Sequence, residues 1–283
     1  MRLRLVLRPK RKLTRITLNY GYYLSCAIYQ WIELSSPDYA RFLHDQGFPL
    51  EGTLRRFKHF CFSRLIVPKR NIRGGQLEIL SPTVEWHIGM PVEESVQHLV
   101  IGMFEKREFF IEREDNGFEV EQVETIRDPV WVRGMRFRLL SPLTVSVPEQ
   151  RNGKSMPHYL RPDDQRLSEA LRRNVLNKYA SLWGDQPVDT EFRCALDEKF
   201  IADRGGPDRI SKLITIKQGH ADETKVRGFM CPLTIEGNPI LIALAYESGL
   251  GEKGSLGFGM LEAVTLSSHP DRLEMTRNGD QDP

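Results

Sequence analysis

Apolar and polar residues alternate from Met1 to Leu7, the period of a strand buried on one face, which sets Arg2 and Arg4 together on the other. From Tyr22 to Leu34 the spacing becomes helical, with apolar residues at 24, 27, 28, 31 and 32, and Ser35-Ser36-Pro37 ends the run. A second helix is expected after Ser36, with Pro37 in its first turn, reaching about Asp45. Residues 57–67 and 77–88 read as strands around the basic turn P-K-R-N-I-R-G-G. Residues 91–105 fit a helix, and 108–125 one or two polar edge strands. The pattern restarts at Asp128-Pro129 with a strand over 135–147 and a long helix over 162–183. Strand-like segments follow at 191–201, 210–218 and 225–236, then a short helix at 239–246 and a last strand at 260–266.

Each half therefore runs strand, helix, strands, helix, strand. That order predicts an α+β chain of two tandem ferredoxin-like (RRM-like) domains, each an antiparallel sheet with helices on one face. The expected boundaries are 1–128 and 129–267, followed by a loose polar tail at 268–283.

Composition narrows the class. With 40% hydrophobic and 28% charged residues the chain is globular. Its longest apolar runs, such as 239–246, fall far short of the roughly 20 residues that span a bilayer. The basic start lacks the apolar stretch and cleavage site of a signal peptide. Cys26, Cys61, Cys194 and Cys231 are scattered without a C-x-x-C pair, and read as reduced thiols of a cytoplasmic protein. No His, Cys, Asp or Glu cluster has metal-ligand spacing, so neither metal nor cofactor is expected.

Charge changes the picture more. Residues 1–73 carry 15 Lys and Arg against four acids, a net of +11, whereas the rest of the chain has a net of −9. Arg2–Arg15 and Arg55–Arg73 hold seven cations each and no acid, while 105–128 holds nine acids and four bases. An anionic partner such as RNA, DNA or a membrane surface would relieve the repulsion; the alternative is a solvated basic face.

The candidate chemistry begins at A-Y-E-S-G-L-G-E-K-G-S-L-G-F-G-M-L, residues 245–261, where five glycines fall within eleven residues. Such clusters let backbone amides approach phosphate. Gly249 to Gly254 matches G-x-G-x-x-G, but the chain then enters a strand rather than the helix a dinucleotide fold needs. Lys253-Gly254-Ser255 is also in the wrong order for a P-loop.

The more regular pattern is Gly249-Leu250-Gly251, five residues, Gly257-Phe258-Gly259. Together with N-K-Y-A-S-L-W-G-D-Q-P (177–187), K-V-R-G-F (225–229), Y-L-S-C-A-I-Y-Q (23–30) and F-L-H-D-Q-G-F (42–48), it resembles the CRISPR repeat-processing endoribonucleases, the "Cas six" family of repeat-associated RNA-binding proteins, over residues 1–265. The resemblance implies metal-independent cutting of CRISPR precursor RNA within its repeats. It also implies Tyr29, His44 and Lys58 as the catalytic group. A base must take the 2′-OH proton, an acid must protonate the departing 5′-oxygen, and a cation must stabilise the phosphorane-like transition state. Histidine suits proton transfer. Tyrosine would need nearby cations to ionise, and Lys58 is best cast as the electrostatic clamp. The roles of Tyr29 and His44 stay open, with a leaning to Tyr29 as base and His44 as acid.

The residue-level alternatives are plain ones: Tyr29 packing at the rim of its helix, His44 capping carbonyls, and Lys58 competing with Arg55, Arg56 and His59. On a strand His59 would face away from Lys58. RNA grip is expected from Gly249, Gly251, Lys253, Gly257 and Gly259, from the basic turn with Arg64, Lys69, Arg70 and Arg73, and from Arg2 and Arg4 lining the cleft. The rival function is a catalytically silent RNA-binding scaffold of the same superfamily. Partners beyond precursor RNA, whether an interference complex or a second copy of the chain, stay open, and no membrane partner is expected.

Overall fold

The computed structural model describes residues 1–151 and 153–264. Leu3, Leu5 and Leu7 are buried, as their alternation requires, and their strand (Arg2–Pro9) is the centre of a five-stranded antiparallel sheet. The order across the sheet is Cys61–Phe62, Val84–Gly89, Arg2–Pro9, Gly117–Ile126 and Glu108–Phe110. Helices α1 (Gly21–Ser35) and α3 (Glu93–Glu105) share its core, with α2 (Pro37–Arg41) between them in sequence. Leu24, Ile28, Trp31 and Ile32 of α1 meet Val96, Leu99 and Met103 of α3 in this core, with Trp86 from the sheet. The two helices bury their apolar stripes against one face of the sheet, which is where the stabilisation comes from.

The second half repeats the plan. A four-stranded antiparallel sheet runs Phe192–Leu196, Leu233–Gly237, Gly134–Leu139, Leu261–Ala263. It shares a separate core with α4 (Leu167–Trp183) and, beyond the short helices α5 (Glu198–Asp203) and α6 (Pro207–Ile210), with α7 (Pro239–Ser248). Counting only the four ferredoxin-like strands of each half, both sheets have the order second, third, first, fourth. The fold is α+β with two ferredoxin-like sheets in tandem.

The sequence pattern misplaces several breaks. The strand expected over 57–67 is interrupted because His59 takes a left-handed backbone (φ 49°), leaving Arg56–Phe57 to pair with Phe48–Pro49 and Cys61–Phe62 to join the main sheet. The strand expected over 77–88 breaks at Ser81-Pro82; Gln76–Ile79 instead pairs with Arg70–Arg73 and Thr14–Thr17 in a small separate sheet. Past Ser141-Pro142, Ser146–Arg151 folds back on Lys154–Tyr159 as a hairpin. The segment 191–201 stops being a strand at Asp197, whose side chain accepts from Phe200 N and starts α5. Cys231-Pro232 divides 225–236, so Thr224–Phe229 pairs with Ser211–Ile216 and only Leu233–Gly237 enters the sheet. The long helix begins at Leu167 rather than 162, and the tail at 268–283 lies outside the described residues.

The first basic stretch is not a bare face. Its outward cations lie beside the acidic segment, because Gly117–Ile126 is the neighbouring strand. Arg4 pairs with Glu124 (2.5 Å) and Glu85 (3.9 Å), Arg8 with Glu121 (2.7 Å) and Glu119, Lys10 with Glu108, and Arg11 with Asp115 (3.0 Å). Arg4 is ion-paired with these carboxylates while staying partly exposed. The expectation that Arg2 lines an RNA cleft is corrected. Arg2 is buried, because α7 and the last strand cover the start of Arg2–Pro9. Its guanidinium donates to the carbonyls of Tyr246 and Leu261 and lies 3.3 Å over the Tyr246 ring. A buried cation held by two carbonyls and an aromatic face, its Nε without a partner among the described residues, joins the two halves.

Candidate active site

Three segments converge on His44. Ser36 caps α2 by accepting from Tyr39 N (3.3 Å), with Pro37 in the first turn as expected. Beyond Arg41 the chain does not continue as an α-helix but widens into a π-turn over Phe42–Gln46, closed by Gly47 N donating to Phe42 O (2.7 Å). Such turns often mark functional positions, since they re-aim a side chain. Gly47 has φ 60°, and a Cβ there would lie 2.6 Å from Phe57 O, so glycine is what lets this turn close on the Phe57–Lys58 segment.

The π-turn leaves the His44 side chain 68% exposed, with Nδ1 2.7 Å from Asp45 Oδ1. Tyr29, on α1, meets it edge to face, the ring centroids 5.2 Å apart at 78°. Phe60 holds the Tyr29 ring from another side at 5.6 Å. Lys58 Nζ donates to the His44 carbonyl. Tyr29, His44 and Lys58 thus meet, drawn from α1, the π-turn and the segment before Cys61–Phe62. This arrangement places a proton-transfer group, a phenol and an ammonium around one exposed point.

Electrostatics changes the expected roles. Burial, with the Cys26 thiol contributing less, pushes the Tyr29 phenol far above its ordinary value. The cations expected to ionise it are not among the groups acting on it, so Tyr29 keeps its proton. Burial also lowers the Lys58 ammonium, opposed by Asp45.

The glycine segment does something other than present amides to phosphate. Gly249, Gly251 and Gly259 are buried, and Gly257 is half-buried against the Phe62 ring. Leu250 N donates to Gly259 O, Glu252 N to Thr144 O and Gly259 N to Pro142 O, each at 2.8 Å. These bonds fold the loop on itself and seat it against 142–144. A Cβ on Gly259 (φ 71°) would lie 1.9 Å from Leu250 O. The expectation that Gly249, Gly251 and Gly259 approach RNA is corrected, because close backbone packing needs them; the stretch 252–257, with Lys253 and Gly257, remains partly exposed.

Lys178 of α4 anchors this loop. It is buried, donates to Gly249 O (2.5 Å) and Ser248 O (3.3 Å), and burial lowers it to about 8. A folded-state value below the unfolded one means that the unfolded chain binds more protons between pH 8 and the ordinary 10.5, so the cost of burying the charge falls as pH rises through that window. Urea denaturation should show wild type gaining on Lys178→Met by about 3 kcal/mol across it. Parallel curves for the two proteins would contradict the assignment.

Arg64, Lys69, Arg70 and Arg73 are exposed, as an RNA-facing turn requires. Arg70 and Arg73 lie on the Arg70–Arg73 hairpin strand, Arg70 donating to Val67 O (3.0 Å) and Arg73 lying 3.8 Å from Glu78. These two belong to the small three-stranded sheet, which contains none of Tyr29, His44 and Lys58. Sequence reasoning missed Asp45, Phe60 and Lys178 as parts of the site. Asp45 and Lys178 stand inside the quoted family-like segments, so the signal was present without a role attached. Among the described residues no group of three or more His, Cys, Asp or Glu is arranged to hold a metal ion. None of the described helices is long and apolar enough to cross a membrane.

Comparison with known proteins agrees along most of the chain. Residues 15–124 match the family described as CRISPR-associated protein Cas6, N-terminal, and residues 126–263 match CRISPR associated protein Cas6, C-terminal. The CRISPR-associated endoribonuclease Cas6 of Pyrococcus furiosus is 29% identical over 261 residues, covering 92% of this chain and 88% of that one. The CRISPR-associated endoribonuclease Cas6 1 of Methanocaldococcus jannaschii is 26% identical over 264 residues, covering 93% of each. Among solved structures, that of a Cas6-related gene from Pyrococcus furiosus superposes with TM-score 0.78 at 25% identity, covering 94% of this chain and 99% of its own. A RAMP protein binding different RNA substrates gives 0.76 at 25% identity, covering 94% and 100%. With both halves matched in order and relatives aligned almost end to end, the chain belongs to the CRISPR-associated Cas6 family.

Proposed function

We propose that this protein is an endoribonuclease that cuts CRISPR precursor RNA within its repeats, without a metal ion, by attack of a ribose 2′-OH on the adjacent phosphate. The products are a 2′,3′-cyclic phosphate (or 3′-phosphate) and a 5′-hydroxyl, and the released pieces are guide RNAs. The reading rests on the meeting of Tyr29, His44 and Lys58 at one exposed point.

In this reading His44 is the base. Asp45 at Nδ1 orients the ring so that Nε2 faces the substrate, where it takes the 2′-OH proton as the O2′–P bond forms. The Lys58 ammonium offsets charge on the phosphorane. As the P–O5′ bond breaks, the Tyr29 phenol, held protonated by burial, gives its proton to the departing oxygen. The roles of Tyr29 and His44 are thereby reversed from the leaning drawn from residue types alone.

Incubating the pure protein with its own repeat RNA in excess EDTA tests this reading. One cut per repeat with cyclic-phosphate and 5′-hydroxyl ends is expected. A cut that requires added Mg²⁺ would overturn the metal-free chemistry. Tight binding with no cut in either condition would favour the scaffold.

A further inference from the structure

A pocket of about 320 Å³ opens where the segment 56–60, α4 and the glycine loop meet. Its size falls within the range of small-molecule sites. Arg56, Lys58, His59, Asn174, Lys178 and Lys253 are among its lining residues. Lys58 belongs both to this pocket and to the Tyr29–His44 group, so the pocket adjoins the cutting point.

Two buried side chains here carry polar atoms with no hydrogen-bond partner in the protein: Nδ1 of His59 and Oδ1 of Asn174. His59 is 3% exposed and Asn174 8%. The left-handed backbone at His59 turns its ring inwards, away from the strand direction of Lys58, and Phe57 stacks on it at 5.7 Å. Ser181 Oγ donates to Lys178 O, so it accepts from His59 Nε2–H (2.8 Å). That assigns the tautomer: Nδ1 carries the lone pair. Burial holds the imidazole at about 3, hence neutral at working pH. Two of the side chains lining the pocket therefore carry orphaned acceptors, His59 Nδ1 and Asn174 Oδ1, both closed off from water. Buried acceptors of this kind favour a ligand that brings donors.

Resting on the endoribonuclease reading, we propose that this pocket takes one nucleobase flanking the cut phosphate and recognises its exocyclic amino group through His59 Nδ1 and Asn174 Oδ1. Arg56 and Lys253 supply charge for the neighbouring phosphates, as single-strand recognition requires. A uracil, which has no amino group, would leave an acceptor unmet.

The test uses repeat RNAs made uncleavable by a 2′-deoxyribose at the cut. At each of the three nucleotides on either side the amino group is removed in turn: adenosine to purine riboside, guanosine to inosine, cytidine to 2-pyrimidinone riboside. Wild type should lose about tenfold or more in affinity at one position. Asn174→Leu should shrink that difference at least threefold, and Asn174→Asp, which keeps an acceptor, should preserve it. A flat profile in wild type, or the same loss in Asn174→Leu, would overturn the proposal. Normal cutting of unmodified RNA beside a flat profile overturns the pocket alone, whereas absence of cutting by wild type overturns the underlying reading.

Discussion

Replacing His44 with alanine is expected to lower the rate of repeat cleavage by about 10²- to 10⁴-fold while RNA binding persists. The substitution separates chemistry from architecture. Lys58 donates to the backbone carbonyl of residue 44, which alanine retains, so the ammonium stays in place. The π-turn closes through Gly47 N and Phe42 O, again backbone groups, and the ring itself is mostly solvent-exposed. What is lost, in the proposed mechanism, is the proton acceptor beside the Tyr29 phenol. Single-turnover cleavage of end-labelled repeat RNA at saturating protein measures the effect. A rate within tenfold of wild type would remove His44 from the mechanism.

The second large effect is structural. Gly259→Ala should destabilise the protein by about 3 kcal/mol or more, read as a fall in the urea midpoint. Alanine at φ 71° carries the left-handed penalty of about 1–2 kcal/mol, and its Cβ would lie 1.9 Å from Leu250 O, a backbone atom held by the loop's own hydrogen bonds. Gly52→Ala is the control. Its φ of 70° brings the same conformational penalty, but nothing lies within 4 Å of the added carbon, so its cost should stop near the penalty alone. Equal costs for the two substitutions would show that the glycine loop is not closely packed.

The order of elements was legible because it depends on local periodicity: Leu3, Leu5 and Leu7 report a half-buried strand, and residues 24 to 32 report α1. The breaks were less so, although Pro82, Pro142, Pro232 and the Asp197 cap stood in plain view; proline removes a ladder donor and stops a strand. The Ser146–Tyr159 hairpin carries Pro148 and Pro157 on opposed strands, a composition that argues against a strand until the pairing is known.

The site was legible in part. Tyr29, His44 and Lys58 were chosen through resemblance, and their meeting depends on a π-turn that no periodicity announces. Arg2 shows the limit most clearly. Alternation assigns it to the outward face, correctly, but only tertiary packing reveals that α7 and Leu261–Ala263 cover that face. The net charge of the first 73 residues likewise overstated the free cations, since pairing with 105–128 is set by sheet register. The glycines were read as phosphate-facing because composition cannot distinguish an amide that meets a ligand from one that meets Thr144 or Pro142.

Everything in the functional reading turns on the attacking group being the RNA's own sugar hydroxyl. A repeat RNA identical to the natural one except for hydrogen in place of the 2′-OH at the cut isolates that point. The account predicts that the protein binds this RNA and leaves it intact over times in which the unmodified strand is fully cut. Cleavage of the deoxy-substituted strand at a comparable rate would contradict it.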